Sequence, residues 1–375
     1  MSITARKIIA RAMVTLLFFV AVPLQIYAYD INDKFTLEGM LTGVYQYGDW
    51  NAEDVDDTGR GAGVLDLGAN FHPTDSDEFQ IKLSFAAGNA LNNISPFILA
   101  PYSDDLEDDL KDINGRNRDY LLEAWYKHTF ALSENTSLGI TGGIIDSTAY
   151  IDDNQFANDE VTQFMNEIFV NNTNVNLPSY DLGGVIELDM SNVSVKALAM
   201  NTNYEADVDI YKNYNYFAFQ LGYAIDTVLG EGNYRICGFT TNNKFPTWDG
   251  TDYVNLYGIG ISADQELGDI VGVFARLCWQ DDSAQIVYDS IYSAGVNING
   301  KIWGREQDEI GIGYAYLPGA DKGTLDSTNA FETYIRVNVL KYADISFDIQ
   351  YMSDDYKYDK DIDGFIYGVR INAYF

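Results

Sequence analysis

The sequence predicts an all-β fold, a transmembrane antiparallel β-barrel of about 16 strands, on three observations. Apolar and polar residues alternate from residue 35 to the end. An export leader precedes them, and beyond it no apolar run approaches the roughly 20 residues of a membrane-spanning helix. A chain of this kind crosses a bilayer with strands, and they must close on themselves. An open edge would leave backbone N–H and C=O groups unpaired in hydrocarbon.

Composition narrows the function. Among 375 residues, Asp and Glu outnumber Lys and Arg 56 to 23, for a formal net charge of -33. A polyanion repels the phosphate backbone, so nucleic acid is not expected as a partner. The aromatic share of 14% argues against disorder, and 2 Cys argue against a disulfide scaffold. With only 2 His, the residue sets that zinc enzymes and His-dependent hydrolases use are nearly absent. No catalytic residue, metal or cofactor is expected.

The elements follow in order. Arg6, Lys7 and Arg11 form a basic start, Met13 to Val22 an apolar run, and Ile26-Tyr27-Ala28 a cleavage site. Residues 1–28 therefore read as a secretory signal peptide and 29–375 as the mature barrel. A first strand begins near Phe35. Leu65, Leu67, Ala69 and Phe71 then alternate with Asp66, Gly68, Asn70 and His72, and Phe79, Ile81, Leu83 and Phe85 with Glu78, Gln80, Lys82 and Ser84. This is the period of a strand with one greasy and one polar face. Further segments begin near Tyr120, Leu138, Leu182, Val193, Tyr216, Tyr234, Val254, Ile270, Ile291 and Ile310. Thr333, Ile335, Val337 and Val339 continue the pattern, as do Ile345, Phe347, Ile349 and Tyr351. In the last segment Tyr367, Val369, Ile371, Ala373 and the terminal Phe375 sit two apart, which resembles the closing signal of outer-membrane barrels.

Two segments break the alternation. In residues 86–119, Ser103 is an N-cap candidate before Leu106, Leu110 and Ile113 at helical spacing. In residues 146–181, Asn158 precedes Val161, Phe164, Met165 and Ile168. Each predicts a short helix in a long connection that either folds inward and narrows the lumen or caps the outer rim.

Several runs carry a family resemblance. They include His72-Pro73-Thr74-Asp75, Asn114-Gly115-Arg116-Asn117-Arg118-Asp119-Tyr120 and Glu123-Ala124-Trp125-Tyr126-Lys127. Gln163-Phe164-Met165-Asn166, Gly272-Val273-Phe274-Ala275-Arg276, Gly311-Ile312-Gly313-Tyr314-Ala315 and Glu332-Thr333-Tyr334-Ile335-Arg336 continue the series in order. Together they resemble the carbohydrate-selective porin (OprB-type) family across nearly the whole mature chain. The resemblance implies an outer-membrane channel of a Gram-negative-type bacterium for passive diffusion of small hydrophilic solutes such as sugars. It implies outer-membrane lipid and lipopolysaccharide as surroundings, and leaves open a homo-oligomer. The acid excess keeps a cation-preferring porin without sugar specificity as an alternative, and a barrel that anchors a partner protein as another.

With the apolar phase outward, Lys82, Lys127, Lys196, Arg235, Arg276, Arg336 and Arg370 fall on the lumen phase. The first long segment supplies the constriction candidates Asp104, Asp105, Glu107, Asp108 and Asp109, with Arg116 and Arg118 beyond them. Opposed charges across a narrow lumen would orient polar solutes. Alternatively the bases pair with inward acids such as Asp66, Glu78, Glu123, Glu187, Asp189, Glu332 and Asp348. Trp125 also falls inward, between Glu123 and Lys127, where a ring flanked by charged groups suits a pyranose. A slipped phase would instead put Trp125 in the aromatic girdle, where Trp279 is expected.

Weaker patterns take structural readings. Asp359, Asp361, Asp363 and Gly364 open like an EF-hand loop, but the twelfth position is Arg370 rather than Glu, so an acidic hairpin loop is expected. Cys237 and Cys278 fall inward on strands that flank a third, which predicts two free thiols. Gly258-Ile259-Gly260 and Gly311-Ile312-Gly313 lie inside strands and read as packing glycines.

Overall fold

The computed structural model describes residues 29–375 other than 54, 208 and 209. The signal-peptide expectation therefore lies outside the described residues. A short strand, β1 (Tyr29–Asn32), folds back on β2 (Phe35–Asn51). The wall continues through β3 (Thr58–Thr74), β4 (Asp77–Ala87), β5 (Leu121–Ser133), β6 (Thr136–Ile145), β7 (Asp181–Met190), β8 (Val193–Asp207), β9 (Ile210–Thr227) and β10 (Gly230–Thr241). A small hairpin, β11 (Phe245–Pro246) with β12 (Tyr253–Val254), stands outside the wall. The wall resumes with β13 (Tyr257–Leu267), β14 (Val271–Gln280), β15 (Ser290–Asn299), β16 (Glu309–Pro318), β17 (Leu325–Leu340), β18 (Ala343–Tyr356) and β19 (Ile362–Tyr374). Each wall strand pairs antiparallel with the next, and β19 returns to β2, so 16 strands close the barrel.

The alternation places the side chains as the sequence predicts. Tyr45 and Tyr47 on β2, Phe79 and Ile81 on β4, Phe217, Phe219 and Leu221 on β9 and Phe347 on β18 are exposed on the outer face. This is the apolar band a bilayer requires. Trp279 joins it, its Nε1 donating to Tyr292 Oη at 3.2 Å, which fits the girdle expectation.

The two ends differ. At one end β3–β4, β5–β6, β7–β8 and β17–β18 are joined by tight turns. At the other, residues 88–120 and 146–180 form the long connections. Long loops on the outer side and short turns on the periplasmic side are the arrangement of bacterial barrels. Both long connections run inward, and much of the buried apolar mass lies in them: Leu91, Leu99, Leu106, Phe164, Ile168 and Phe169 among others. Phe164 stacks 4.9 Å from Phe169 and edge-on to Tyr334 at 5.1 Å. Gly313 on β16 lets this cluster approach the wall, since a Cβ there would fall 2.8 Å from the Phe169 ring.

Candidate solute pathway

The first inner loop turns in at Gly88, whose φ of +83° a side chain would strain. Its apolar residues Leu91, Leu99, Tyr102, Leu106 and Leu110 are buried. Two wall amides grip it at one point: Gln46 on β2 and Gln350 on β18 both donate to the Pro101 carbonyl, at 2.8 and 2.9 Å. The helix expected after Ser103 shrinks to one turn, in which Leu110 N donates to Leu106 O at 3.2 Å, and a 3-10 turn over Ile113–Gly115. Asp109 accepts from Leu106 N and Asp104 from Asp105 N, so two first-turn amides are capped by carboxylates. The apolar spacing reported burial correctly and helicity poorly.

The second inner loop holds the helix Glu167–Val170, with Asn166 as its N-cap through a bond from Ile168 N at 3.2 Å. The helix thus starts within the apolar stripe that follows Asn158 and takes up only its end. Earlier in the loop Asp159 accepts from Val161 N at 2.8 Å and closes one turn. Phe164, Met165 and Ile168 are buried, as their stripe predicts.

The wall bases divide into two groups. Arg276 Nε lies 2.7 Å from Asp152 Oδ2, and its Nη1 donates to the Phe169 carbonyl at 2.9 Å. Arg370 donates to the Glu160 carbonyl and, at 3.0 Å, to that of Gln163. Both arginines point inward but are 0% exposed. Arg235 pairs with Asp153 at 2.7 Å and Asp264 at 2.6 Å, and Lys196 with Asp153 at 3.1 Å. These four bases therefore hold the second loop or the wall beside it, and of them only Arg235, with Asp153, also borders a cavity, of about 190 Å³, at the turn end. Pairing with acids was one of the two readings, but three of the four take their partner acid, Asp152 or Asp153, from the loop. Arg336 pairs with Glu309 on the neighbouring strand at 3.3 Å.

The other group stays open. The Lys82 side chain is 32% exposed and 3.9 Å from Asp66, and that of Lys127 is 26% exposed and bonded to Glu187 at 2.7 Å. Lys82 faces Glu123 across the β4–β5 register, and Trp125 Nε1 donates to Glu123 Oε2 at 2.8 Å. Trp125 thus faces inward, half-buried against the apolar cluster, and lies outside the girdle. Below it, at the turn end, a cavity of about 470 Å³ is lined by Glu38, Asp66, Lys82, Lys341, Tyr342 and Tyr374.

The constriction candidates also separate. Asp104 and Asp105 point inward, accepting from Tyr102 Oη at 2.7 Å and Tyr180 Oη at 2.6 Å. Burial, then the neighbouring Asp66, pushes the Asp104 carboxyl up to about 7. Burial raises Asp105 and Glu160 as well. Glu107 is bonded to Lys111 at 2.8 Å, Asp108 and Asp109 are exposed, and Asp109 caps the Leu106 turn. Arg116 donates to Asp181 at 3.1 Å and the Asn201 carbonyl at 3.0 Å, and Arg118 to the Tyr180 carbonyl. Arg116 ties the first loop to the wall, and Arg118 ties it to the end of the second loop.

Sequence reasoning placed Glu332 inward as a partner for a base and missed that it seats the second loop. Glu332 on β17 takes the amides of Met165, at 2.5 Å, and Asn166, at 3.0 Å. Its inward phase was the only signal available.

The OprB carbohydrate-selective porin family profile matches residues 57–375. An uncharacterized protein of Aquifex aeolicus (strain VF5) is 29% identical over 280 residues, covering 74% of this chain and 79% of that protein. Among solved structures, the high-pH form of Pseudomonas putida OprB superposes with a TM-score of 0.72 at 15% identity, covering 91% of this chain and 94% of that one. In vitro folded OmpT of Vibrio cholerae superposes with a TM-score of 0.53 at 12% identity, over 92% of this chain and 98% of that one. At such identities these likenesses speak for the barrel fold, and the family profile speaks for membership. The chain belongs to the carbohydrate-selective porin, OprB family, and is an outer-membrane porin.

Proposed function

We propose that this porin passes small uncharged hydrophilic solutes, sugars above all, along the β3–β7 side of its lumen. Residues 1–28 act as the export leader, and outer-membrane lipid and lipopolysaccharide surround the apolar band. The observation that carries the sugar reading is the Trp125–Glu123 pair, an inward, half-buried ring whose Nε1 donates to a carboxylate that faces Lys82. A pyranose C–H face stacks on such a ring while its hydroxyls reach Glu123, Lys82 and Lys127. The test is single-channel current in a planar bilayer with sugars added. Block by millimolar glucose or maltose is expected, and conductance that no sugar lowers would overturn the reading.

A second reading, a preference for cations, has its own observation. Asp66, Glu123, Asp105 and Glu160 are the groups around Lys82, so acids outnumber bases there. A reversal potential in a salt gradient separates the two, since strong cation selectivity without sugar block favours the second.

A further inference from the structure

Three outer loops meet on the side of the mouth away from the open wall. Residues 242–256 carry the β11–β12 hairpin, and residues 281–289 and 319–324 lie beside it. They enclose a shallow cleft of about 530 Å³ lined by Trp248, Asp249, Thr251, Asp252, Ser283 and Lys322. None of these residues serves the lumen, the inner loops or the lipid band.

The cleft is built rather than incidental. Trp248 Nε1 donates to the Asp282 carbonyl at 2.7 Å, which fixes the indole plane. Thr247 bridges to Ala284, and Gln285 N donates to the Pro246 carbonyl at 2.9 Å, joining the hairpin to the second loop. Ala320 N donates to the Val287 carbonyl at 2.9 Å, joining the second to the third. The hairpin tip is closed by Thr247 Oγ1 donating to Asp249 Oδ1 at 2.7 Å. Backbone bonds across three loops hold the ring and the polar groups in place before any ligand arrives, which lowers the entropy lost on binding.

The chemistry of the lining selects the ligand. One aromatic ring offers an apolar platform, and around it stand two carboxylates, two hydroxyls and one ammonium, so donors and acceptors are both present. A neutral polyol uses both kinds. A cation would meet Lys322, and an anion would meet Asp249 and Asp252. We propose that this cleft is a capture site for pyranose mono- and disaccharides at the outer mouth, with Trp248 as the stacking residue. The proposal rests on the sugar reading above for its purpose, since a site at the mouth raises the local concentration of solute that the lumen then passes.

The test is the tryptophan emission of the detergent-solubilised barrel carrying Trp125→Phe, which removes the lumen ring from the signal, titrated with glucose and with maltose, alongside bilayer recordings of the otherwise wild-type barrel with sugar added to one side at a time. In the Trp125→Phe background a saturable emission change at millimolar sugar is expected. It should vanish on adding Trp248→Phe and weaken at least fivefold on adding Asp249→Asn, which keeps the Oδ1 acceptor that closes the hairpin tip, or Lys322→Gln, whose side chain is exposed. Block from the loop side should start several-fold more slowly in Trp248→Phe, with block from the turn side and open conductance unchanged. No saturable change in the Trp125→Phe background overturns the site whatever the current shows. A change that survives the addition of Trp248→Phe comes from another tryptophan and also overturns it, leaving the lumen reading intact. A change lost in Trp248→Phe without any current block upholds the site and rejects sugar permeation.

Discussion

Arg276 on β14 and Asp152 in the second inner loop form an ion pair of 2.7 Å that solvent does not reach, with side-chain exposures of 0% and 1%. It joins the wall to the segment that narrows the lumen. The guanidinium also holds the Phe169 and Ala157 carbonyls, so one side chain fixes three points of the loop.

Arg276→Met should therefore release the loop. Removing one partner of a buried pair leaves the other charge stranded, at a cost of about 3–5 kcal/mol. Expected are faster hydrogen exchange in residues 146–180 and a larger, noisier single-channel conductance, while heat-modifiable gel migration still reports a closed barrel. Exchange and conductance like those of the wild type would show that the pair does not hold the loop. The double variant R276M/D152L should recover much of the docking, since it buries no unpaired charge.

In the lumen, Glu123→Gln should weaken sugar block about tenfold or more, because a hydrogen bond to a charged group is worth about 1.5–3 kcal/mol. Trp125→Phe keeps a ring but loses the bond that orients it, so a smaller loss is expected. Block constants from current recordings read both. Equal block in Glu123→Gln and wild type would remove this pair from the path.

The acids of the first loop predict a pH effect of definite sign. Asp104 is raised from its ordinary 3.8 to about 7, so the folded loop retains protons that an unfolded chain has released. Its contribution to stability is fully present below about pH 4 and is lost as pH rises through about 7. Glu160, raised in the same direction, adds to it. Between pH 5 and pH 8 the amide protection of the first loop, taken relative to the base-catalysed intrinsic exchange rate, should fall and the channel should become more cation-selective. Asp104→Asn should flatten both trends, and a wild type whose selectivity is the same at both pH values would contradict the assignment.

The two thiols should stay free. Gly260 is the register partner of both Cys237 and Cys278, so a whole strand separates them. Next-but-one strands are about 9–10 Å apart, beyond the reach of a disulfide. Both thiols are buried. A maleimide reagent should label neither in the folded barrel and both in denaturant, and an oxidant should not change electrophoretic mobility.

The wall was legible because its signal is local. Glu78 to Phe85 shows by its own alternation which face meets lipid, and the structure places those residues on the faces expected. The strand expected near Val254 begins at Tyr257, because Val254 pairs with Phe245 in the outer hairpin, and a brief hairpin alternates like any strand. The open half of the site, Lys82 with Glu123 and Trp125, follows from phase alone. The fate of Arg276 and Arg370 does not, since it depends on a loop that leaves the wall at β6 and crosses the lumen. Nothing near Arg276 in the chain announces Asp152, and nothing near Arg370 announces the Glu160 carbonyl. Lumen phase was readable, whereas access to solvent from the lumen was a matter of distant packing.

The seam between β2 and β19 bears on timing. Thr42 donates to Asn372 at 3.0 Å across 330 residues of chain, and Gly39 exchanges two backbone bonds with Phe375 at 2.7 and 2.8 Å. Beyond the residues 35–37 that β1 covers, the first wall strand therefore has no partner on one edge until β19 has been made. A ring closed by such distant segments carries the entropy of bringing them together as its final step. A ribosome releasing this chain from the N-terminus delivers an apolar strand with a bare edge long before its mate. The mature protein must accordingly be kept from pairing wrongly through the whole of its export, and a chain cut short by even its last strand would remain an open sheet with two exposed edges.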